Sequence, residues 1–352
     1  MPSLEPQRPA LAPITIEEVR AARARMAGFV ARTPLVRLYF DAEDRDEMTK
    51  ASPAAATVGW EPTGFPAEIH LKLENLQPIG AFKLRGAVNA MQLLPRPQLQ
   101  AGVWTASAGN MAQGVAWTAR RLGVPCTTVV PDTAPRTKLA AIERLGGRIV
   151  ALPFDDWWSC LRDSTCAQVN GTLVHPVNDP AVVAGNGTIG LEILEDLADV
   201  DTVVIPYGGG GLSIGIASAI RALKPDTRIY ACEVETAAPF AAAFAAGAPR
   251  DVERIASFVD GIGSNRVLQE MWPEAQRLLD GALVVSLAEV CDAIRFLAER
   301  CRVIAEGAGA AAVAAAMTGR AGRGKVVCVV SGGNIDKAVL SPILRGEMPP
   351  AP

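Results

Sequence analysis

The chain has 352 residues, enough for two domains, or one large domain with an insertion, at about 150 residues per domain. It is 49% hydrophobic and 20% charged with a formal net charge of -3, which excludes a disordered chain and offers no basic excess to nucleic acid or an anionic membrane. Seven scattered cysteines with no C-x-x-C pair read as reduced thiols of a cytoplasmic protein, and only two histidines, His70 and His175, argue against a histidine metal cluster or a Ser-His-Asp triad.

The Pro-rich first dozen residues read as a loose arm without the apolar core of a signal peptide. A capping box, Thr15 with Glu18, predicts a helix carrying Ile16, Val19, Ala22, Met26 and Phe29 near helical period and ended by Thr33-Pro34. Residues 41–66 read as a surface loop. Ile69, Leu71 and Leu73 then alternate with His70, Lys72 and Glu74, the period-two pattern of a strand. Short apolar runs follow at 103–104, 127–130, 149–152, 203–205, 229–232, 283–285 and 326–330, with helix-length segments between them. This alternation predicts an α/β fold with mostly parallel sheets and helices on both faces. The uncharged run 203–220 holds Pro206 and four glycines and is no membrane span. An alanine-rich helix is expected over 305–317.

Ligand sites in such folds gather at the carboxyl ends of strands. Pro206-Tyr207-Gly208-Gly209-Gly210-Gly211-Leu212 joins a strand to a helix, where converging backbone N–H groups and the helix N-terminus suit a phosphate; a turn that only permits close packing is the plainer reading. The spacing is neither G-x-G-x-x-G nor a Walker loop. Lys83, in Gly80-Ala81-Phe82-Lys83-Leu84-Arg85-Gly86, is either a solvated lysine opening a helix or an amine of lowered pKa able to form a Schiff base. Ser107-Ala108-Gly109-Asn110-Met111 offers N–H, hydroxyl and amide groups to an anion, or merely caps a helix. Ser331-Gly332-Gly333-Asn334 carries the same two readings. His175 and the Trp157-Trp158 pair read as structural.

Together these segments resemble the serine/threonine dehydratase family of fold-type II enzymes. Glu74-Asn75-Leu76-Gln77-Pro78 running into Phe82-Lys83-Leu84-Arg85-Gly86-Ala87 is similar to its lysine motif. Asp260-Gly261, Glu306-Gly307-Ala308-Gly309 and Ser331-Gly332-Gly333-Asn334 follow in the family's order, and the resemblance spans roughly residues 15 to 345. It implies two α/β domains with mostly parallel twisted sheets, a large one from 1–100 and 179–352 and a small one, 101–178, inserted in it, with the active site in the interdomain cleft. It implies pyridoxal 5'-phosphate held by Lys83, which also moves the alpha proton, with Phe82 beside the ring and Asn110 on the ring hydroxyl. Gly208, Gly209, Gly210 and Gly211 would bind the phosphate, Ser331 would face the pyridine nitrogen, and Glu306 would join the cofactor set. Ser107, Ala108, Gly109, Asn110 and Met111 would receive the substrate.

The activity so implied is that of an ammonia-lyase acting on L-threonine or L-serine, in a cytoplasmic homodimer that binds neither nucleic acid nor membrane. An eliminase for a bulkier 3-hydroxy amino acid, a beta-replacement synthase and, from another class, a non-catalytic or nucleotide-binding α/β protein are the alternatives. The chain departs from the family at Met111, where histidine is common, and at Ala108, where racemases carry serine, so weak racemisation is expected. Glu233 matches one acidic residue of the family's divalent-cation site, but Pro239 stands where a second is expected. No regulatory domain is expected after the catalytic part.

Overall fold

The computed structural model describes residues 9–40, 57–58 and 65–350. Among these, eleven strands form two sheets. The larger is seven-stranded, in the order β1 (Leu35–Leu38), β3 (Glu68–Leu73), β11 (Lys325–Val330), β8 (Thr202–Pro206), β9 (Arg228–Val234), β10 (Gly281–Val285) and β2 (Thr57–Val58). Its five inner strands are parallel, and β1 and β2 close the edges antiparallel. The smaller sheet, β6 (Arg148–Leu152), β5 (Cys126–Pro131), β4 (Val103–Ala106) and β7 (Thr172–Leu173), is parallel throughout.

Helices cover both faces of the large sheet, which explains its near-continuous apolar strands. Val203 and Ile205 of β8 enter one core with Ile229, Val327 and Val329; Val204 enters the other with Tyr230, Val326 and Cys328. Each fully buried Val or Ile contributes about 1.5–3 kcal/mol, so both faces contribute and neither strand side is left polar. On the first face the helix Pro180–Asp196 packs against Gly211–Leu223 and against Lys83–Leu93. The helix Gly307–Met317 packs on the second.

The expected α/β class and every apolar strand run are present. Three expectations need correction, and one burial was not foreseen. The first helix, Ile16–Arg25, has the expected capping box but is capped at Met26, well before Thr33. The arm is not loose where it is described: Leu11 and Ile14 are buried in the core, and the Leu11 amide bonds the Glu270 carbonyl at 2.9 Å. Residues 57–58, inside the segment read as a loop, pair with β10, while 41–56 and 59–64 lie outside the described residues, as do 1–8. Lys72 and Glu74, the polar members of the alternation, are fully buried, because helices cover the second face of β3 as well.

Candidate active site

The carboxyl ends of β3, β4, β8 and β11 converge on one cavity of about 220 Å³. Phe82, Lys83, Ser107, Gly109, Asn110 and Met111 line one part of it; the four glycines 208–211, Glu306 and Ser331 line the rest. The turn after β11 is laced to the lysine segment: the Phe82 amide donates to the Ser331 carbonyl at 3.0 Å, and the Gly333 amide to the Gly80 carbonyl at 2.9 Å. Lys83 opens its helix, and its Nζ donates to the Pro176 carbonyl at 2.7 Å, 5.3 Å from the Phe82 ring centroid. A carbonyl stabilises an ammonium less than a carboxylate does, and burial dominates: the amine's pKa is pulled down to about 8.

Behind that lysine lies a charge-balanced buried cluster. Arg85 forks onto Glu74, Nε and Nη2 each at 2.8 Å, and onto Glu192, Nη1 at 2.7 Å and Nη2 at 2.8 Å. Lys72 Nζ completes it on Glu192 at 2.5 Å and on the Thr33 carbonyl at 2.6 Å. Burial alone would raise the Glu74 carboxyl, but Arg85 overrides it and holds Glu74 below the usual carboxylate range. The cluster ties the Glu74–Leu76 turn and the Pro180–Asp196 helix to the helix that begins at Lys83.

Asn110 is held from both ends. Its Nδ2 donates to Glu306 at 2.9 Å, and its Oδ1 accepts from Asn334 Nδ2 at 2.8 Å, which also bonds the Ile79 carbonyl at 2.8 Å. Burial, then the nearby Asp260 charge, pushes Glu306 up to about 7. Asn334 was part of a motif but had no role assigned; only the fold shows that it fixes Asn110. Pro176, Val177 and Ile262 also line the wall, and no sequence pattern marks them.

Two predicted site residues stand apart from this wall. Ala108 packs against the apolar cluster of the small sheet. Glu233 sits behind, both carboxylate oxygens accepting from the amides of Phe240 at 2.9 Å and Ala241 at 2.8 Å, where it caps the helix Pro239–Ala246. Burial raises its pKa to about 8. Among the described residues no group of three His, Cys, Asp or Glu side chains is placed to hold a metal ion. Met111 touches the cavity but is only 2% exposed, embedded in the same apolar cluster as Ala108. His175 is structural, its Nδ1 accepting from the Asn178 amide at 2.9 Å and the Val177 amide at 3.2 Å. Trp157 is packed, with Nε1 on the Val129 carbonyl at 3.1 Å, whereas Trp158 is exposed.

The glycine turn tests whether a phosphate-bearing cofactor fits. Gly210 has φ +93°, which only glycine adopts freely, and a Cβ on Gly209 would lie 2.6 Å from the Val177 side chain. The turn is therefore closed to side chains at Gly209 and Gly210, and it ends in the N-terminus of Gly211–Leu223, a site of positive potential. With a buried amine of depressed pKa on the same wall, the residues fit an aldehyde cofactor carrying a phosphate.

Comparison with known proteins agrees. A family model described as "Pyridoxal-phosphate dependent enzyme" matches residues 58–332. The chain is 38% identical to an L-threonine ammonia-lyase of Thermotoga maritima, over 94% of this chain and 78% of that protein. It is 42% identical to an L-threonine ammonia-lyase of Geobacter sulfurreducens, over 81% and 71%. Among solved structures, maize serine racemase is 30% identical with a TM-score of 0.77, over 95% of this chain and 98% of that one. The processed threonine deaminase isoform 2 of Solanum lycopersicum is 28% identical with a TM-score of 0.78, over 98% and 93%. A buried lysine of lowered pKa, a glycine turn at a helix N-terminus and a match over most of the chain agree: it belongs to the pyridoxal-phosphate-dependent enzyme family, with the fold-type II architecture.

Proposed function

We propose that this protein is an ammonia-lyase that removes the β-hydroxyl of a small β-hydroxy amino acid, L-threonine or L-serine, leaving a 2-oxo acid and ammonia. The observation that carries the reading is the Lys83 amine, buried, bonded to a carbonyl and titrating near 8 on the same wall as the glycine turn. The relatives named L-threonine ammonia-lyase supply the substrate class.

When bound, pyridoxal phosphate supplies the electron sink for bond breaking at the α carbon. Lys83 would hold it covalently, and its Nζ would accept the α proton of the substrate. Burial that draws this pKa down to about 8 leaves a far larger share of the amine neutral near pH 7.5 than an ordinary lysine would have. The amides of Gly208, Gly209, Gly210 and Gly211 would hold the phosphate, and Phe82 would confine the ring. Asn110, fixed by Glu306 and Asn334, would present its amide to the ring hydroxyl without rotating. Ser331 is neutral and does not enforce protonation of the ring nitrogen, which suits prompt loss of a β group. The loop of Ser107 and Gly109 would take the substrate carboxylate.

The division into a small domain, 101–178, within a large one, 1–100 and 179–352, is supported by β4 to β7, which all fall between 103 and 173. Among the described residues no helix is long and apolar enough to cross a membrane. A cytoplasmic setting is supported by seven free cysteines. A homodimer is the assembly we propose, to be read by sedimentation. Purified protein given L-threonine or L-serine should release 2-oxobutanoate or pyruvate with equimolar ammonia; no oxo acid from either would overturn the reading.

A further inference from the structure

Two of the seven cysteines meet behind the small sheet, and among the described residues no cysteine lines the cavity. Cys160, on the last turn of the helix Phe154–Asp163, is buried with Trp104, Ala106, Val129 and Leu152. The helix ends at Ser164, a left-handed residue with φ +57° that turns the chain back. Two residues on, Cys166 packs against the same cluster, and the two thiols are hydrogen-bonded to each other. Cys166 Sγ also donates to Gln168 Oε1 at 3.2 Å. No C-x-x-C spacing announces this pair; the turn at Ser164 makes it.

The two thiols are not equivalent. Cys160 is buried, whereas Cys166 is half-buried and reaches solvent in part. Burial first, and then the bond to Cys166, pushes the Cys160 thiol up to about 12, so it is not the first to react. Asp156 and Asp163 add negative charge beside Cys160. That charge disfavours an anionic oxidant such as oxidised glutathione and leaves a neutral peroxide as the better reagent. Cys126, Cys232, Cys291 and Cys328 are buried, which shields them from the same reagent.

We propose that Cys160 and Cys166 form a reversible oxidation site, where hydrogen peroxide closes the hydrogen-bonded pair into an intrachain disulfide and spares the cavity. The Cys166 thiolate attacks one peroxide oxygen; the O–O bond breaks, and hydroxide leaves and takes up the thiol's proton as water. Cys166 is then a sulfenic acid. The Cys160 sulfur attacks the Cys166 sulfur; the S–S bond forms, the S–O bond breaks, and the hydroxyl leaves with the Cys160 proton as a second water. The two thiols lose two electrons and the peroxide gains them. A neighbouring thiol stops the oxidation at a stage that a reducing thiol reverses.

The native holoenzyme is treated with a small excess of hydrogen peroxide, its remaining thiols are blocked, and it is digested with trypsin. Arg162 lies between the two cysteines, so cleavage leaves them in separate fragments, 149–162 and 163–221, unless a disulfide joins them. The joined fragments should form about ten-fold faster than any other thiol is lost, and dithiothreitol given before digestion should abolish them. The visible band of the bound cofactor should stay unchanged. In Cys160→Ala, Cys166 should halt as a sulfenic acid that dimedone traps; in Cys166→Ser, Cys160 should remain a thiol. No joined fragments, with sulfinic acid on Cys166 or with oxidation spread evenly over the seven cysteines, would overturn the site. Dimedone on Cys160 in Cys166→Ser would overturn the order of attack, and loss of the cofactor band along with the cross-link would contradict the sparing of the cavity.

Discussion

Two regions only a few residues apart bury charge in opposite ways. Behind the helix that starts at Lys83, two bases and two acids, Lys72, Arg85, Glu74 and Glu192, are sealed from water and matched one to one. In front of it, Lys83 and Glu306 are buried with only neutral groups as hydrogen-bond partners, a carbonyl and an amide. The same desolvation has different outcomes. In the cluster Arg85 outweighs it and Glu74 stays ionised. In the cavity it wins, drawing Lys83 down to about 8 and Glu306 up to about 7. Paired burial yields a rigid support; unpaired burial yields groups that exchange protons near neutral pH.

The comparison can be broken from either side. The largest effect is expected from Lys83→Ala, which removes the amine while the cluster stands: oxo-acid release should fall on the order of 10⁴-fold or more, at an unchanged circular dichroism spectrum. Retained turnover would show that another group does the work. Arg85→Met should act on the other side, leaving Glu74 and Glu192 facing each other; a loss of about 3–5 kcal/mol in urea unfolding is expected. A loss under about 1 kcal/mol would mean that the cluster is not the support described. Met111→His should do least to the reaction. The site is apolar and 2% exposed, so the histidine costs about 1–3 kcal/mol of stability. The ratio of kcat/KM for L-threonine to that for an aryl serine should stay within about two-fold. A larger change in that ratio would make Met111 a substrate contact rather than packing.

Much of this was legible in the residues. Alternating apolar runs and helix-length gaps sufficed for the α/β class, and Lys83, Asn110, the four glycines, Glu306 and Ser331 do meet on one wall. What escaped depends on contacts distant in sequence. The period-two pattern of β3 does not show that Lys72 is buried, because a strand covered on both faces hides its polar positions as well. The short edge strands β1 and β2 have too few residues for a periodic signal. Leu11 joins the core beside a segment far along the chain, where its amide bonds the Glu270 carbonyl. Asn334 to Asn110 and Lys138 to Asp260 span 224 and 122 residues, and no local pattern encodes such pairings.

The central claim, that burial without a counter-ion poises Lys83, is tested most directly by reloading the apoprotein. Only the neutral amine attacks the cofactor's aldehyde, and the folded pKa is lowered from 10.5 to about 8, so the second-order loading rate should rise with pH through a midpoint near 8 and level off above it. The rate is followed by growth of the visible absorbance band at fixed cofactor concentration from pH 6 upward. A plateau reached by about pH 9 is the predicted result. A rate still climbing through pH 10 would place the amine at its ordinary value and contradict the account.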